Sequence, residues 1–203
     1  MTQFDIPLYS QLAVATLSFF LLLKRKTYFM KLLTLLLIVT FLTEIIGSYC
    51  IRARESSFFL YYGYTFFQYI VIYFLYKNLI RDKKWLKIPE LLMVVFVVTW
   101  LFVFYFKNIF YYLVIIGSFN VGVLVFLYLR ELLLSDEIIN YKRLLPFWVS
   151  VGFLVFHLPA IPFFSFWTYM KNRDLLPILH SLIVLMNVII SFGLLWSNRK
   201  VEY

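Results

Sequence analysis

Charged residues are scarce in this sequence. Only 14% of its 203 residues are Asp, Glu, Lys or Arg and 64% are hydrophobic, whereas soluble domains have about 25% charged and about 45–50% apolar residues. This composition excludes a water-soluble globular domain and makes the lipid bilayer the expected surroundings. Seven spans of about 20 residues each would use most of the chain. We therefore expect a single transmembrane domain over residues 1–203, without room for a soluble catalytic or nucleic-acid-binding domain.

Cysteine and histidine are also rare. A single cysteine, Cys50, excludes an internal disulfide and a cysteine metal cluster. With two histidines, the chain lacks the three that a zinc hydrolase of the ceramidase and adiponectin-receptor type needs, and it has no Gly-x-Ser-x-Gly, His-Glu-x-x-His or Walker motif. We expect no enzyme activity, no catalytic residue, no cofactor and no metal. A metal site formed by Glu44, His157 and His180 is the open alternative.

Long apolar runs fill most of the chain, and charged residues bound each of them. Runs such as 91–106 are continuously apolar, which differs from the alternating polarity of transmembrane strands. Each run is long enough to cross a bilayer as a helix. The predicted fold class is therefore all-α, a polytopic transmembrane bundle of seven helices at about 7–23, 31–51, 57–80, 88–106, 109–129, 147–168 and 175–197.

The basic residues are distributed unevenly between the two sides of such a bundle. With the N-terminus outside, 14 of the 19 Lys and Arg residues fall on inner segments and five on outer ones. The positive-inside rule then predicts the N-terminus out and the C-terminus in. Residues 1–7 contain no Lys or Arg, unlike a signal peptide, so we expect the first span to be retained. Topology also explains the net charge of +9, and no nucleic-acid partner is expected.

One inner loop is long enough to have structure of its own. Residues 130–146 contain Ser135-Asp136-Glu137, which is typical of a helix start with Ser135 as N-cap and acids in the first turn. We predict a short interfacial helix here. A contact surface for a cytoplasmic partner is the alternative.

Glu44 alone among the ten acidic residues sits well inside a span. Such a group is costly unless it faces the bundle interior, a cavity or a partner, which makes it a functional-site candidate. On a helix it shares a face with Thr40, Thr43 and Gly47, a small polar stripe suited to close packing. A glutamate that only ties helices together is the alternative.

Both histidines also fall in spans. His157 opens the stretch His-Leu-Pro-Ala-Ile-Pro in helix 6, where Pro159 and Pro162 free backbone carbonyls that lipid cannot satisfy. We expect Asn120, His180, Asn187 or water to supply the partners, and helix 6 to bend by more than about 20°. His180 and Asn187 lie on one side of helix 7.

Polar residues from five helices fall at similar depths. Gln68, Asn120, His157 and Asn187 are expected near the bilayer midplane, with Glu44 and His180 in the outer half. We predict one interior cavity biased toward the outside and lined by Thr40, Glu44, Gln68, Asn120, His157, Pro159, His180 and Asn187. Polar contacts between helices would produce part of the same pattern. Helix 4 has few polar residues and is expected at the lipid-facing periphery.

Tyrosines cluster near the predicted outer helix ends. An aromatic belt at the membrane interface explains most of them, and a tyrosine-lined mouth for a cationic or aromatic ligand is the alternative. The residues in question are Tyr61, Tyr62, Tyr64, Tyr111, Tyr112 and Tyr169.

Two short stretches resemble a known group of proteins. Residues 42–49, Leu-Thr-Glu-Ile-Ile-Gly-Ser-Tyr, and 145–152, Leu-Pro-Phe-Trp-Val-Ser-Val-Gly, resemble parts of small seven-helix bacterial inner-membrane proteins similar to membrane modules of sensor histidine kinases. The resemblance implies a multi-pass location in the bacterial inner (plasma) membrane and a sensory or coupling role.

The size and helix count also look like those of the three-plus-one-plus-three sugar transporters, with helix 4 as the linker. The Pro-Gln dipeptide of that group is absent. The leading hypothesis is a sensory or coupling module whose cavity binds a small molecule or lipid. A small-solute transporter or pore is the alternative, and an intramembrane metal-dependent enzyme comes third.

Overall fold

The computed structural model describes residues 5–106, 109–166 and 175–197. Within them, seven helices are long and apolar enough to cross a membrane, which confirms the all-α, seven-helix prediction. The helices are α1 (Asp5–Lys24), α2 (Tyr28–Arg52), α3 (Phe58–Lys77), α4 (Lys87–Tyr105), α5 (Phe110–Leu133), α6 (Leu145–Ser165) and α7 (Leu176–Trp196).

Side-chain caps explain two of the differences from the predicted spans. α2 begins three residues before the apolar run, because the Thr27 hydroxyl accepts a hydrogen bond from the Met30 amide at 3.3 Å. α3 ends three residues early, where the Asn78 side-chain amide donates to the Phe74 carbonyl at 2.9 Å. A hydropathy profile does not detect either contact, because each depends on a single polar group at a helix end.

The long inner loop forms the short helix that the sequence predicts, but as a 3-10 helix, Asp136–Arg143. Ser135 is the N-cap residue and acids occupy the first turn, as predicted. Its hydroxyl, however, donates back to the Leu132 carbonyl at 2.9 Å and does not cap the helix start. Glu137 instead accepts from Arg81 at 3.0 Å, which ties this helix to the α3–α4 loop. The cytoplasmic partner stays a prediction.

Six of the helices form a closed ring in the order α1, α2, α3, α5, α6, α7, and α7 packs back on α1. Hydrogen bonds connect the first and last helices of the ring, α1 and α7, and the residues that follow them. The Arg25 guanidinium donates to the hydroxyl and carbonyl of Ser197 at 2.6 and 2.9 Å, and the Asn187 amide donates to the Ser10 hydroxyl at 2.9 Å. Residues far apart in sequence thus close the bundle.

α4 lies outside the ring and packs against α3 and α5. Of the seven spans it has the smallest buried share, which confirms the expected peripheral position. Trp100 and Tyr62 hold it in place: their rings stack with centroids 4.6 Å apart. The Tyr62 hydroxyl also donates to the Trp100 carbonyl at 2.7 Å, and the Trp100 indole to the Tyr62 carbonyl at 3.3 Å.

The two ends of the ring differ. We call the end where α2 and α6 stop and α3, α5 and α7 start the mouth end, and the opposite one the base end. Toward the base end the interior is filled by side chains that are at most 4% exposed: Leu75, Tyr76, Tyr128, Leu132, Leu144 and Leu145.

We expect the mouth end to face outward, because the basic residues concentrate at the base end. Reporter fusions at both termini measure this. A cytoplasm-dependent reporter should be active at the C-terminus and silent at the N-terminus, and the reverse result would contradict the orientation.

Candidate functional site

A cavity of about 900 Å³ lies inside the ring. Ile51, Phe110 and Leu176, at the mouth end, are among its lining residues, and Ile72 and Val121 line its deepest part. The cavity therefore occupies the mouth half of the bundle and stops near the middle. Its volume falls in the range of about 300–1,000 Å³ typical of small-molecule sites.

Aromatic and aliphatic side chains make up most of the cavity wall. Its rings come from Tyr61, Tyr64, Tyr69, Phe96, Phe110, Tyr111, Phe156 and Phe164. Polar groups are few: Glu44, Thr65, Gln68, Ser118 and His157. Glu44 is the one charged residue among the described lining residues. A largely apolar wall with a few polar groups is the usual composition of a ligand-binding site.

Glu44 projects from α2 toward α3. The Tyr61 hydroxyl donates to its carboxylate at 3.4 Å, so Glu44 has a polar partner from another helix. Gly47, one turn further along α2, permits this contact, because a methyl group at its position would overlap the Tyr61 hydroxyl. The glycine of the polar stripe thus permits a close approach that a larger residue would block.

Thr40 does not line the cavity but contacts a residue that does. Its hydroxyl donates to the Leu36 carbonyl at 2.8 Å and lies 2.7 Å from the Tyr64 hydroxyl. A threonine has one hydroxyl proton, so the Tyr64 hydroxyl donates to Thr40. The predicted residue therefore positions Tyr64, which does line the cavity.

His157 lies on the wall opposite Glu44, because α2 and α6 face each other across the six-helix ring. It is 6% exposed, and its Nδ1 lies 3.1 Å from the Ser118 hydroxyl on α5. The partner of Nδ1 is thus Ser118, whereas the expected Asn120 and Asn187 bond other groups. No partner for Nε2 is found among the described residues.

α6 remains α-helical through Pro159 and Pro162, both of which are exposed on the outside of the bundle. Pro159 is therefore not part of the cavity wall. The expected bend stays a prediction.

Three other predicted residues lie away from the cavity. The Asn120 amide donates to the Leu92 carbonyl at 3.2 Å and so holds α4. Asn187 bonds Ser10 on α1, as described above. His180 lines a separate cavity of about 570 Å³ beside α1, together with Pro7. For Asn120 and Asn187 the structure shows the alternative, polar contact between helices.

The residues of the alternative metal site are not brought together. Glu44 and His157 line the main cavity and His180 the separate one. In the described part of the chain, no group of three or more His, Cys, Asp or Glu side chains is arranged to hold a metal ion.

The interfacial-belt interpretation is wrong for several tyrosines. Tyr62 is 4% exposed, and Tyr61, Tyr64 and Tyr111 line the cavity, whereas Tyr112 is 49% exposed. Tyr169 lies outside the described residues. Helical spacing indicates the inward position of two of these tyrosines. Residues 61, 64, 65 and 68 share one face of α3, so Tyr61 and Tyr64 point the same way as Gln68. Ser118, on α5, could not be predicted in the same way, because the residues one turn away on its face, Val114 and Val121, are apolar.

No protein-family model, curated protein or solved structure matches this chain.

Proposed function

We propose that this integral membrane protein binds an amphipathic small molecule or lipid in the main cavity and couples its occupancy to the base end. The observation that supports this most is the cavity itself, about 900 Å³ in the middle of the ring with few polar groups in an apolar wall. Such a site gives an apolar ligand body a large contact area and fixes its orientation through the few polar groups.

The coupling role rests on contacts at the base ends of two cavity walls, α3 and α5. Beyond α3, the Asp82 amide donates to the Glu131 carboxylate at 3.3 Å, and the Arg130 guanidinium lies 4.2 Å from the centre of the Trp85 ring. We call these contacts the base brace, which consists of Arg81, Asp82, Trp85, Arg130, Glu131 and Glu137. A ligand that shifts α3 against α5 would strain the base brace and move the 3-10 helix. The resemblance to sensor modules favours the same role.

Filling the cavity tests the binding proposal. Val114 lines the cavity, so Val114→Trp should occupy the ligand's space. Val98, on the outer face of α4, is 61% exposed and gives the matched control Val98→Trp. We expect about one equivalent of an amphipathic molecule to co-purify in nanodiscs with the wild type and with Val98→Trp, and at least about tenfold less with Val114→Trp.

Mass spectrometry of the extracted nanodiscs measures this occupancy, and thermal unfolding shows whether the variants are folded. Equal occupancy in both variants, or an empty wild-type protein that binds no added amphiphile, would contradict the proposal.

A transporter is the second candidate because the cavity is confined to one half of the bundle. The cavity reaches the mouth end, while the Tyr76 and Ser150 hydroxyls bond at 2.8 Å within the closed base half. Alternating access requires such a one-sided state. Flux of the co-purified molecule across proteoliposomes would favour transport, and saturable binding without flux favours the sensory module.

A further inference from the structure

We propose that the main cavity selects a ligand with an ammonium head group, which is held by the Glu44 carboxylate among tyrosine rings. This inference rests on the proposed function and names the class of its ligand: an organic cation with an apolar body.

The charge of the wall is the first argument. The described lining residues include no Lys or Arg, and Glu44 is their one charged group. An anionic head group would therefore find a like charge and no cation in the wall. A carboxylate with little access to water is stabilised by an opposite charge at close range.

The second argument is the unused hydrogen-bonding capacity of Glu44. An ionised carboxylate accepts up to about four hydrogen bonds, and the described residues give this one a single bond, from Tyr61 at 3.4 Å. Charge-assisted O–H···O bonds are shorter, about 2.5–2.7 Å. The carboxylate thus has room for a stronger donor, and an ammonium group supplies both N–H donors and a positive charge.

The aromatic rings of the cavity wall give the third argument. Tyr61 and Tyr64 come from the neighbouring helix α3, and Phe110 and Tyr111 line the cavity from the start of α5. The face of an aromatic ring attracts a cation. A carboxylate in a cavity lined by aromatic rings is a suitable environment for an alkylated ammonium.

The remaining wall accommodates the ligand body. Glu44 and His157 each lie eight residues from the mouth end of their helices, a depth of about 12 Å on opposite walls. Below that depth the lining includes Ile72, Val121 and Phe96. An ammonium head at Glu44 therefore leaves apolar space for an alkyl or aryl chain.

Three probes with one skeleton and different head groups test the inference: 4-phenylbutylamine, 4-phenylbutanol and 4-phenylbutyrate. Binding to the full chain in nanodiscs is measured by saturation with radiolabelled amine and alcohol and by competition with the acid. We expect the amine to bind at least about tenfold more tightly than the alcohol, and the acid more weakly than both. Glu44→Gln should abolish the preference for the amine, so that amine and alcohol bind with similar affinity. Glu55→Gln, at an exposed position in the α2–α3 loop near the mouth end, should change neither.

The outcomes separate the two proposals. Saturable binding of amine and alcohol with equal affinity, tighter binding of the acid, or an amine preference that survives Glu44→Gln would overturn the cationic head group and leave the binding function standing. Absence of saturable binding for all three probes, together with an empty purified protein, would overturn the binding function itself.

Discussion

Replacing Gly193 with alanine should destabilise the bundle by about 1–3 kcal/mol. A methyl group at this position of α7 would overlap the β-carbon of Trp148 on α6. That carbon is attached directly to the α6 backbone, so a rotamer change cannot relieve the overlap. The two helices would have to separate, and they are closely packed ring neighbours.

Gly63→Ala is the matched control for this substitution. Gly63 lies within α3, and nothing lies within 4 Å of a methyl group built there. Alanine should be neutral or stabilising by up to about 1 kcal/mol, because it favours helix more than glycine does. The free energy of unfolding in mixed micelles, followed by circular dichroism during titration with SDS, measures both effects. Equal stabilities of the two variants would contradict the close packing of α6 on α7.

Tyr76→Ala should lower the free energy of unfolding by about 3 kcal/mol or more. Tyr76 is 1% exposed in the closed base half, where its ring lies 6.0 Å from that of Tyr128. In lipid, burial of apolar surface gives little net driving force between helices, so packing contacts supply much of the stability. Removing the ring leaves a void and also removes the hydrogen bond to Ser150.

Tyr76→Phe separates these two contributions. It keeps the ring and removes only the hydroxyl, so we expect a loss of about 1 kcal/mol. The same SDS titration measures both variants. A similar loss for phenylalanine and alanine would show that the hydrogen bond, and not the ring, holds the base half closed.

Only part of the candidate site could be predicted from the sequence. Glu44 could be identified because a carboxylate inside a span needs a partner wherever the helix is placed. Helical spacing puts Tyr61 on the same face as Gln68, but it does not identify Tyr61 as the partner of Glu44, since a tyrosine near a helix end suits the membrane interface as well as the bundle interior. Asn120 and Asn187 show the same ambiguity, because an amide at mid-membrane can face a cavity or bond a neighbouring helix.

The number of spans, their approximate limits and the peripheral position of α4 follow from the sequence, because lipid imposes length and hydropathy locally, residue by residue. The order of the ring and the contact between His157 and Ser118 emerge only from the three-dimensional packing, because lipid and the bundle interior are both apolar. Hydrophobic periodicity, which marks the buried face of a helix in water, carries little information about the buried face of a helix in a membrane.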